Sequence, residues 1–213
     1  MSTTQTDATK SPSLGINLPN KLTILRLVLT PVFVVLLSFD SFLFIFVATL
    51  VAIVASISDY LDGHIARSRN LVTNFGKLFD PVADKVFFTA ALVMIMLLDD
   101  LYIPGWTVVA ILSREFLVTG ARSLAATEGM VIAANSWGKA KTVVQTIFMY
   151  CCLGFVLLKY VVEYVLPEYV PYYVVFLRWG SFSAAILVAL VTIYSGVQFA
   201  LMNWRALKLD QLA

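Results

Sequence analysis

Six long apolar segments dominate this chain and restrict what it can fold into. They occupy roughly residues 22–39, 41–58, 82–98, 104–125, 142–162 and 174–202. A helix that crosses the hydrocarbon core of a bilayer needs about 20 mostly apolar residues. Hydrophobic residues make up 60% of the 213 residues and only 13% are charged, far less charge than a soluble domain carries. The sequence therefore predicts an all-α integral membrane protein, a six-transmembrane-helix bundle.

Both ends of the chain are polar. Residues 1–15 are rich in Ser and Thr and contain no apolar stretch, so they do not resemble a cleavable signal peptide. Their composition is typical of a disordered tail. We expect residues 1–15 and 206–213 to be cytoplasmic ends of a single membrane domain at residues 16–205.

Charged residues between the apolar segments are distributed unequally. Most basic residues lie at the two ends and in the connections after the second and fourth segments: Lys10, Lys21, Arg67, Arg69, Lys77, Lys139, Lys141, Arg205 and Lys208. The other connections hold mainly acids, with Lys159 and Arg178 as exceptions: Asp40, Asp99, Asp100, Glu163 and Glu168. Since loops rich in Lys and Arg stay in the cytoplasm, we expect a multi-pass protein of the cell's inner (plasma) membrane with both termini cytoplasmic.

Four aspartates lie within 26 residues at the cytoplasmic end of the second and third segments: Asp59, Asp62, Asp80 and Asp84. On helices, the spacings i, i+3 and i, i+4 place each pair on one face. Carboxylates beside hydrocarbon are very costly unless cations neutralise them. Carboxylate oxygens are hard ligands that suit Mg²⁺ or Mn²⁺. The cluster therefore predicts a metal site, although a transporter's ion site or a structural polar network are alternative interpretations.

Small residues and one arginine are interleaved with these acids. Gly63 either allows close helix contact or lets a nucleotide approach the backbone. Ala66 and Gly76 extend the same argument. Arg67 lies one turn after Gly63 and is either a residue that extends to the membrane interface or a ligand for phosphate, which its charged fork suits. We favour phosphate binding.

Pro81 complicates the third helix. The residue before a proline is disfavoured in helical geometry. One possibility is therefore that the helix begins there, with Asp80 as its N-cap. The other is a helix that contains both Asp80 and Asp84, and we favour it on the family resemblance described below.

A second charged region lies further along the chain. Arg114 and Glu115 sit near the middle of the fourth segment, where charge is costly and is usually functional or paired. Arg122 follows two turns later, and Lys139 and Lys141 precede the fifth segment. Together these basic residues predict a pocket for an anionic acceptor beside the metals. Ordinary cytoplasmic charge is the alternative, and it describes Lys141 better than Lys139.

The aspartate pattern resembles, at every position, the signature of the CDP-alcohol phosphatidyltransferases: Asp59-x2-Asp62-Gly63-x2-Ala66-Arg67-x8-Gly76-x3-Asp80-x3-Asp84. This resemblance implies a membrane enzyme that displaces CMP from a CDP-linked lipid with an alcohol. It implies that the four aspartates bind two divalent cations and that Asp84 is also the catalytic base. It places the interleaved small residues and Arg67 in the CDP-lipid pocket.

Two further stretches resemble the phosphatidylglycerophosphate synthases within that family. They are residues 17–26 with Pro31, and the Arg-Glu, Gly-x-Arg and Gly-Lys-x-Lys-Thr motifs that begin at 114, 120 and 138. The resemblance implies CDP-diacylglycerol and sn-glycerol 3-phosphate as substrates. It assigns Asn20 and Thr23 to the CDP-lipid, and the phosphate of the acceptor to Arg114, Arg122 and Lys139.

Several alternatives stay open. The basic residues favour a phosphorylated acceptor but do not distinguish glycerol phosphate from inositol phosphate. A metal-ion transporter and a non-catalytic interaction protein are different classes of function. The expected partners are the two substrates, membrane lipids and a second copy of the chain in a homodimer, with no nucleic acid.

Overall fold

The structure is a computed structural model that describes residues 18–69, 74–127, 129–130, 132 and 136–203, with the side chains of 18–20 and 60–81 outside that description. It contains six α-helices and one 3₁₀ turn, and no strand occurs in these residues. The elements are α1 (Leu18–Leu37), α2 (Phe42–Arg69), α3 (Asn74–Met96), α4 (Gly105–Thr127), α5 (Ser136–Val165), the turn Pro167–Tyr169, and α6 (Val170–Met202). The all-α prediction is confirmed.

The helices extend beyond the apolar segments at the end that carries the aspartates. Helix α2 continues from the predicted limit of 58 to Arg69, and α5 begins at Ser136 instead of 142. Apolar composition marks only the part of a helix that faces hydrocarbon, so it misses polar turns that continue past it. The site therefore lies on helical extensions of membrane segments.

Helix α3 runs without interruption from Asn74 through Pro81 to Met96. The possibility that it begins at Pro81 with Asp80 as its N-cap is wrong. Proline is tolerated inside membrane helices because neighbouring groups satisfy the backbone carbonyl that loses its partner, and α1 likewise contains Pro31. As a result, Asp80 and Asp84 lie one turn apart on the same helix.

Helix α1 packs against α2 and α3, while α6 packs against α4 and α5, and α5 also contacts α2. Small buried residues on α2 let its neighbours approach closely: Ala48, Ala52 and Ala55. Larger side chains such as Phe33, Ile95 and Leu153 fill the interior. The packing brings α1 to α5 around one region at the end of α2 that carries Asp59.

The outside of the bundle is apolar. Large side chains such as Leu43, Leu117 and Leu201 are exposed on it, whereas soluble monomers rarely expose continuous apolar surface. Three stretches of the described chain are long and apolar enough to cross a membrane: Phe42–Asp59, Ser136–Val165 and Pro167–Met202. These features indicate a membrane protein.

Ion pairs and hydrogen bonds join the helices at the end away from Asp59. Lys159 donates to both carboxylate oxygens of Asp100, at 2.9 and 2.8 Å. Tyr160 donates to Asp40 at 2.5 Å, and Arg178 donates to the backbone carbonyl of Asp99 at 3.1 Å. These contacts fix the connections α1–α2 and α3–α4 against α5 and α6.

Candidate active site

A cavity of about 260 Å³ opens among α1, α2, α3, α4 and α5. One part of its wall is apolar and the rest is charged or polar. Its lining residues are Arg26, Ala55, Ser56, Asp59, Asp84, Lys85, Phe87, Phe88, Glu115, Lys141, Thr142, Gln145, Thr146 and Met149. A polar head attached to an apolar body would find both surfaces here.

Asp59 from α2 and Asp84 from α3 both line this cavity. Their side chains are 52% and 49% exposed, so both carboxylates are accessible. Asp59 Oδ1 accepts from Arg26 Nη2 at 2.9 Å, and the Arg26 side chain is only 2% exposed. The packing of α1 against α2 and α3 thus brings two of the four predicted acids together and holds one of them by a buried cation.

The donor chemistry of these two residues fits a hard divalent cation, since both offer accessible carboxylate oxygens at one cavity. Among the side chains that the structure describes, no three acids, histidines or cysteines form a group. The side chains of Asp62 and Asp80 lie outside the described residues. Their backbones continue the same helices, which keeps the spacing of Asp59 to Asp62 and of Asp80 to Asp84.

The residues predicted to bind the CDP-lipid are described only in part. Gly63, Ala66 and Arg67 lie on the last turns of α2, and Gly76 lies on the first turn of α3. Asn20 lies at the start of α1. The structure does not describe the side chains of Asn20, Ala66 and Arg67. Thr23 is fully buried on α1, three residues before Arg26. The roles of these residues stay predictions.

Glu115 is the centre of a buried ionic cluster. It is 2% exposed, and its Oε2 lies 2.5 Å from Lys85 Nζ. Its Oε1 pairs with the ammonium of Lys141 and also lies 3.4 Å from Arg114 Nη1 and 3.4 Å from Gln145 Nε2. A buried carboxylate without such partners would be very costly. The interpretation that charge in the middle of the fourth segment is functional or paired is confirmed by this pairing.

The three residues predicted to bind the acceptor phosphate do not meet at the cavity. Arg114 Nη2 donates to Ser195 on α6 at 2.9 Å. Arg122 stacks on Phe199, with its guanidinium carbon 5.3 Å from the ring centroid. Lys139 is exposed on the first turn of α5. None of these three lines the cavity.

Two other lysines do line it. Ordinary cytoplasmic charge, the alternative that described Lys141 better than Lys139, does not fit Lys141, because this residue is 6% exposed and paired with Glu115. Lys85 was not singled out from the sequence, although it directly follows Asp84 at the start of an apolar segment. A cation in that position is expensive unless it has a partner, and this signal was available.

Gly196 on α6 leaves space for the side chain of Arg114, the residue that precedes Glu115. A Cβ atom at this position would lie 2.8 Å from Arg114 Cγ, closer than carbon atoms pack. The missing side chain therefore lets Arg114 lie against α6. Arg114 thus lies against α6 and is not among the residues that line the cavity, whereas the neighbouring Glu115 lines it.

The sequence that forms this fold and cavity matches a known class of membrane enzyme. The model of the CDP-alcohol phosphatidyltransferase family matches residues 16–191. This chain belongs to that family of enzymes.

The names of individual relatives are more specific than the name of the family. A protein of Bacillus subtilis (strain 168) named CDP-diacylglycerol–glycerol-3-phosphate 3-phosphatidyltransferase is 37% identical, over 90% of this chain and 97% of its own length. A Rickettsia typhi protein with the same name is 40% identical, over 61% of this chain and 71% of its own. A protein of Mycobacterium tuberculosis (strain H37Rv) named probable phosphatidylglycerophosphate synthase is 42% identical, over 62% and 63%.

Proposed function

We propose that this enzyme transfers the phosphatidyl group from CDP-diacylglycerol to sn-glycerol 3-phosphate, giving phosphatidylglycerophosphate and CMP. The observation that carries the proposal is that Asp59 and Asp84 line the same cavity as Lys85 and Lys141. Acids that suit a metal thus lie beside cations that suit a phosphate. The names of the relatives from Bacillus and Rickettsia support this donor and acceptor.

Two divalent cations, Mg²⁺ or Mn²⁺, would be held by Asp59, Asp62, Asp80 and Asp84. Bound there, they would neutralise the pyrophosphate of the donor and the charge that develops on departing CMP. Four carboxylates gathered there would favour such cations, because they could not all stay ionised without neutralisation. The half-exposed carboxylates of Asp59 and Asp84 are consistent with this role.

Asp84 would also act as the catalytic base. The acceptor hydroxyl is a weak nucleophile at neutral pH and needs a group that takes its proton. The hydroxyl oxygen then forms a bond to the phosphorus that carries diacylglycerol. The bond from this phosphorus to the bridging oxygen breaks, and CMP leaves with that oxygen. Asp84 suits this step because its carboxylate is accessible at the cavity.

The nucleotide lipid would be held by residues at the end of α2 and the starts of α1 and α3: Asn20, Thr23, Gly63, Ala66, Arg67 and Gly76. Glycine and alanine give the CDP group access to the backbone, and Arg67 supplies a charged fork for its pyrophosphate. The apolar side of the cavity, formed by Phe87, Phe88 and Met149, would meet the lipid part of the donor. The acyl chains would stay in the bilayer.

The surroundings of the enzyme follow from the same proposal. All six helices would cross the inner (plasma) membrane, with both termini and the cavity on the cytoplasmic side, where CDP-lipids and glycerol phosphate are accessible. Basic residues at the ends of the chain support this orientation. The active unit would be a homodimer.

The direct test is the identity of the product. Purified enzyme is incubated with CDP-diacylglycerol, Mg²⁺ and sn-glycerol 3-phosphate, and the lipid is identified by mass spectrometry. Phosphatidylglycerophosphate formed together with CMP supports the proposal. If a lipid product forms only with inositol phosphate, the acceptor is inositol phosphate and not sn-glycerol 3-phosphate. If the protein carries ions across liposome membranes and releases no CMP, it is a transporter and not a transferase.

A further inference from the structure

Glu115 joins two lysines that come from different helices. Lys85 lies on α3, Glu115 on α4 and Lys141 on α5, and all three line the cavity. Each carboxylate oxygen of Glu115 contacts one lysine, Oε2 with Lys85 and Oε1 with Lys141. No local spacing in the sequence brings these three residues together, so the packing of α3, α4 and α5 is what sets their arrangement.

The carboxylate restricts where both ammonium groups lie. Lysine has a flexible four-carbon stem and adopts many positions when nothing holds it. Here one buried carboxylate fixes the two nitrogen atoms at the same side of the cavity. A pair of fixed ammonium groups can contact two oxygens of one phosphate without first losing that freedom.

Glu115 does not neutralise the cations around it. It carries one negative charge and contacts three cationic side chains, Lys85, Lys141 and Arg114. Asp84 Oδ2 lies 3.6 Å from Lys85 Nζ, but the proposed function assigns that carboxylate to metal and substrate. The cluster therefore retains positive charge beside the reacting groups, which suits a dianionic phosphate.

Further hydrogen bonds hold Glu115 itself. Gln145 Nε2 lies 3.4 Å from Glu115 Oε1 and donates to Thr192 Oγ1 at 3.1 Å. Thr192 is fully buried on α6. The carboxylate is thus connected to α5 and α6 as well as to the two lysines, and its position does not depend on the lysines alone.

We propose that Glu115 is a positioning residue that holds Lys85 and Lys141 as a two-point binding site for the phosphate of the acceptor. This inference rests on the proposed function and specifies its acceptor site. It replaces the predicted set Arg114, Arg122 and Lys139 with residues that line the cavity. Glu115 itself would not touch the substrate, because an acceptor phosphate would bind the lysines on their cavity side.

A simpler role for Glu115 makes the opposite prediction. If Glu115 only offset positive charge, Glu115→Gln would leave the site more positive, and an anion would bind more tightly. If Glu115 positions the lysines, Glu115→Gln weakens anion binding although it removes a negative charge. Glu115→Asp keeps the charge but shortens the side chain, so it should fall between the wild type and Glu115→Gln.

The experiment measures phosphate binding directly. Full-length enzyme in detergent, with CDP-diacylglycerol and Mg²⁺ absent so that nothing turns over, is titrated calorimetrically with inorganic phosphate and with sn-glycerol 3-phosphate. Glycerol is the matched ligand without phosphate. Lys85→Ala and Lys141→Ala should each raise the Kd for inorganic phosphate and for sn-glycerol 3-phosphate by about 10- to 150-fold, the range for losing a hydrogen bond to a charged group. Glu115→Gln should raise both Kd values as well.

Kinetics separate positioning from a general structural role. In the two lysine variants the KM for sn-glycerol 3-phosphate should rise, while the KM for CDP-diacylglycerol should change by less than about threefold. Lys159→Ala is the matched control, because Lys159 is also a mostly buried lysine paired with a carboxylate, Asp100, but at the other end of the bundle. It should leave both KM values unchanged.

Three results would overturn the proposal. One is tighter phosphate binding by Glu115→Gln. Another is equal phosphate binding by the wild type, Lys85→Ala and Lys141→Ala. The third is a larger loss in Lys139→Ala than in Lys141→Ala. The proposed function is tested separately: it fails if the wild type makes no phosphatidylglycerophosphate, whereas the lysine site is judged by inorganic phosphate whatever the acceptor is.

Discussion

Arg26 on α1 and Asp59 on α2 form an ion pair of 2.9 Å at the cavity, and the arginine side chain is 2% exposed. The first motif acid is thus a partner of a buried cation as well as a candidate metal ligand. Breaking a buried pair costs about 3–5 kcal/mol when both partners are buried. Asp59 is half-exposed, so the cost here should be lower.

We therefore expect Asp59→Asn to be less stable than Asp84→Asn by about 1–3 kcal/mol, between the values for exposed and buried pairs. Each variant removes one negative charge at the same cavity, so relief of repulsion is similar in both. Asp84 also lies 3.6 Å from Lys85, but that lysine keeps its closer partner Glu115 at 2.5 Å, so the loss of this contact should cost less. Thermal unfolding in detergent, in buffer without divalent metal, measures the difference apart from any loss of metal binding. Equal melting temperatures would contradict a structural role for the pair.

Activity should depend on divalent metal. Carboxylates gathered at one cavity need cations to stay ionised together, and the family signature supplies four aspartates. EDTA should abolish CMP release, and Mg²⁺ or Mn²⁺ added in excess should restore it. Full turnover after exhaustive chelation would show that the aspartates do not act through metal.

If Asp84 is the catalytic base, its substitution should affect kcat differently from substitution of the other aspartates. Asp84→Asn should lower kcat by at least about 10²-fold, the lower range for general-base catalysis. Binding of CDP-diacylglycerol in the presence of metal should persist in this variant. Asp59→Asn is the comparison, and it should weaken binding of the metal as well. Near-normal turnover in Asp84→Asn would remove it from the mechanism.

The orientation in the membrane can be tested by cysteine labelling. Cys151 is exposed and Cys152 is buried on α5, so both are first replaced by alanine. A cysteine introduced at Asn70 should react with an impermeant reagent only from the cytoplasmic side. One introduced at Asp99, in the connection between α3 and α4, should react only from the opposite side. The reverse labelling would contradict the predicted topology.

The helices and the meeting of Asp59 with Asp84 were accessible from the sequence. Long apolar segments specify membrane helices, and the spacing of the acids on helices places them on common faces. The family signature further predicted that Asp80 and Asp84 share a helix. The local rule against a helical residue before proline pointed the other way, but α3 is continuous through Pro81, as the signature predicted.

The acceptor side of the site was not accessible in the same way. Lys139 and Lys141 are two residues apart on α5, so they point in very different directions around the helix. Nothing in the local sequence shows which of them faces the cavity. That depends on how α5 packs against α2, α3 and α6, and the packing turns Lys141 inward to Glu115.

Arg114 shows the same limit. It is adjacent to Glu115, yet the two side chains contact different helices. Arg114 donates to Ser195 on α6, whereas Glu115 pairs with Lys85 on α3 and Lys141 on α5. The absence of a side chain at Gly196 permits this arrangement. The sequence identified charged residues that needed partners, but the partners that Arg114 and Glu115 find on other helices are 26 to 81 positions away.

An acceptor panel with product identification distinguishes sn-glycerol 3-phosphate from the other candidate acceptors of this enzyme. Enzyme, CDP-diacylglycerol and Mg²⁺ are combined in turn with sn-glycerol 3-phosphate, inositol phosphate, glycerol and serine, and both CMP and the lipid product are quantified. We predict CMP release with equimolar phosphatidylglycerophosphate when sn-glycerol 3-phosphate is present, and at least about 10-fold less product with glycerol, which lacks the charged group that the lysines would bind. Equal turnover of glycerol and sn-glycerol 3-phosphate would contradict the proposed acceptor. A lipid product that forms only when inositol phosphate is present would also contradict it.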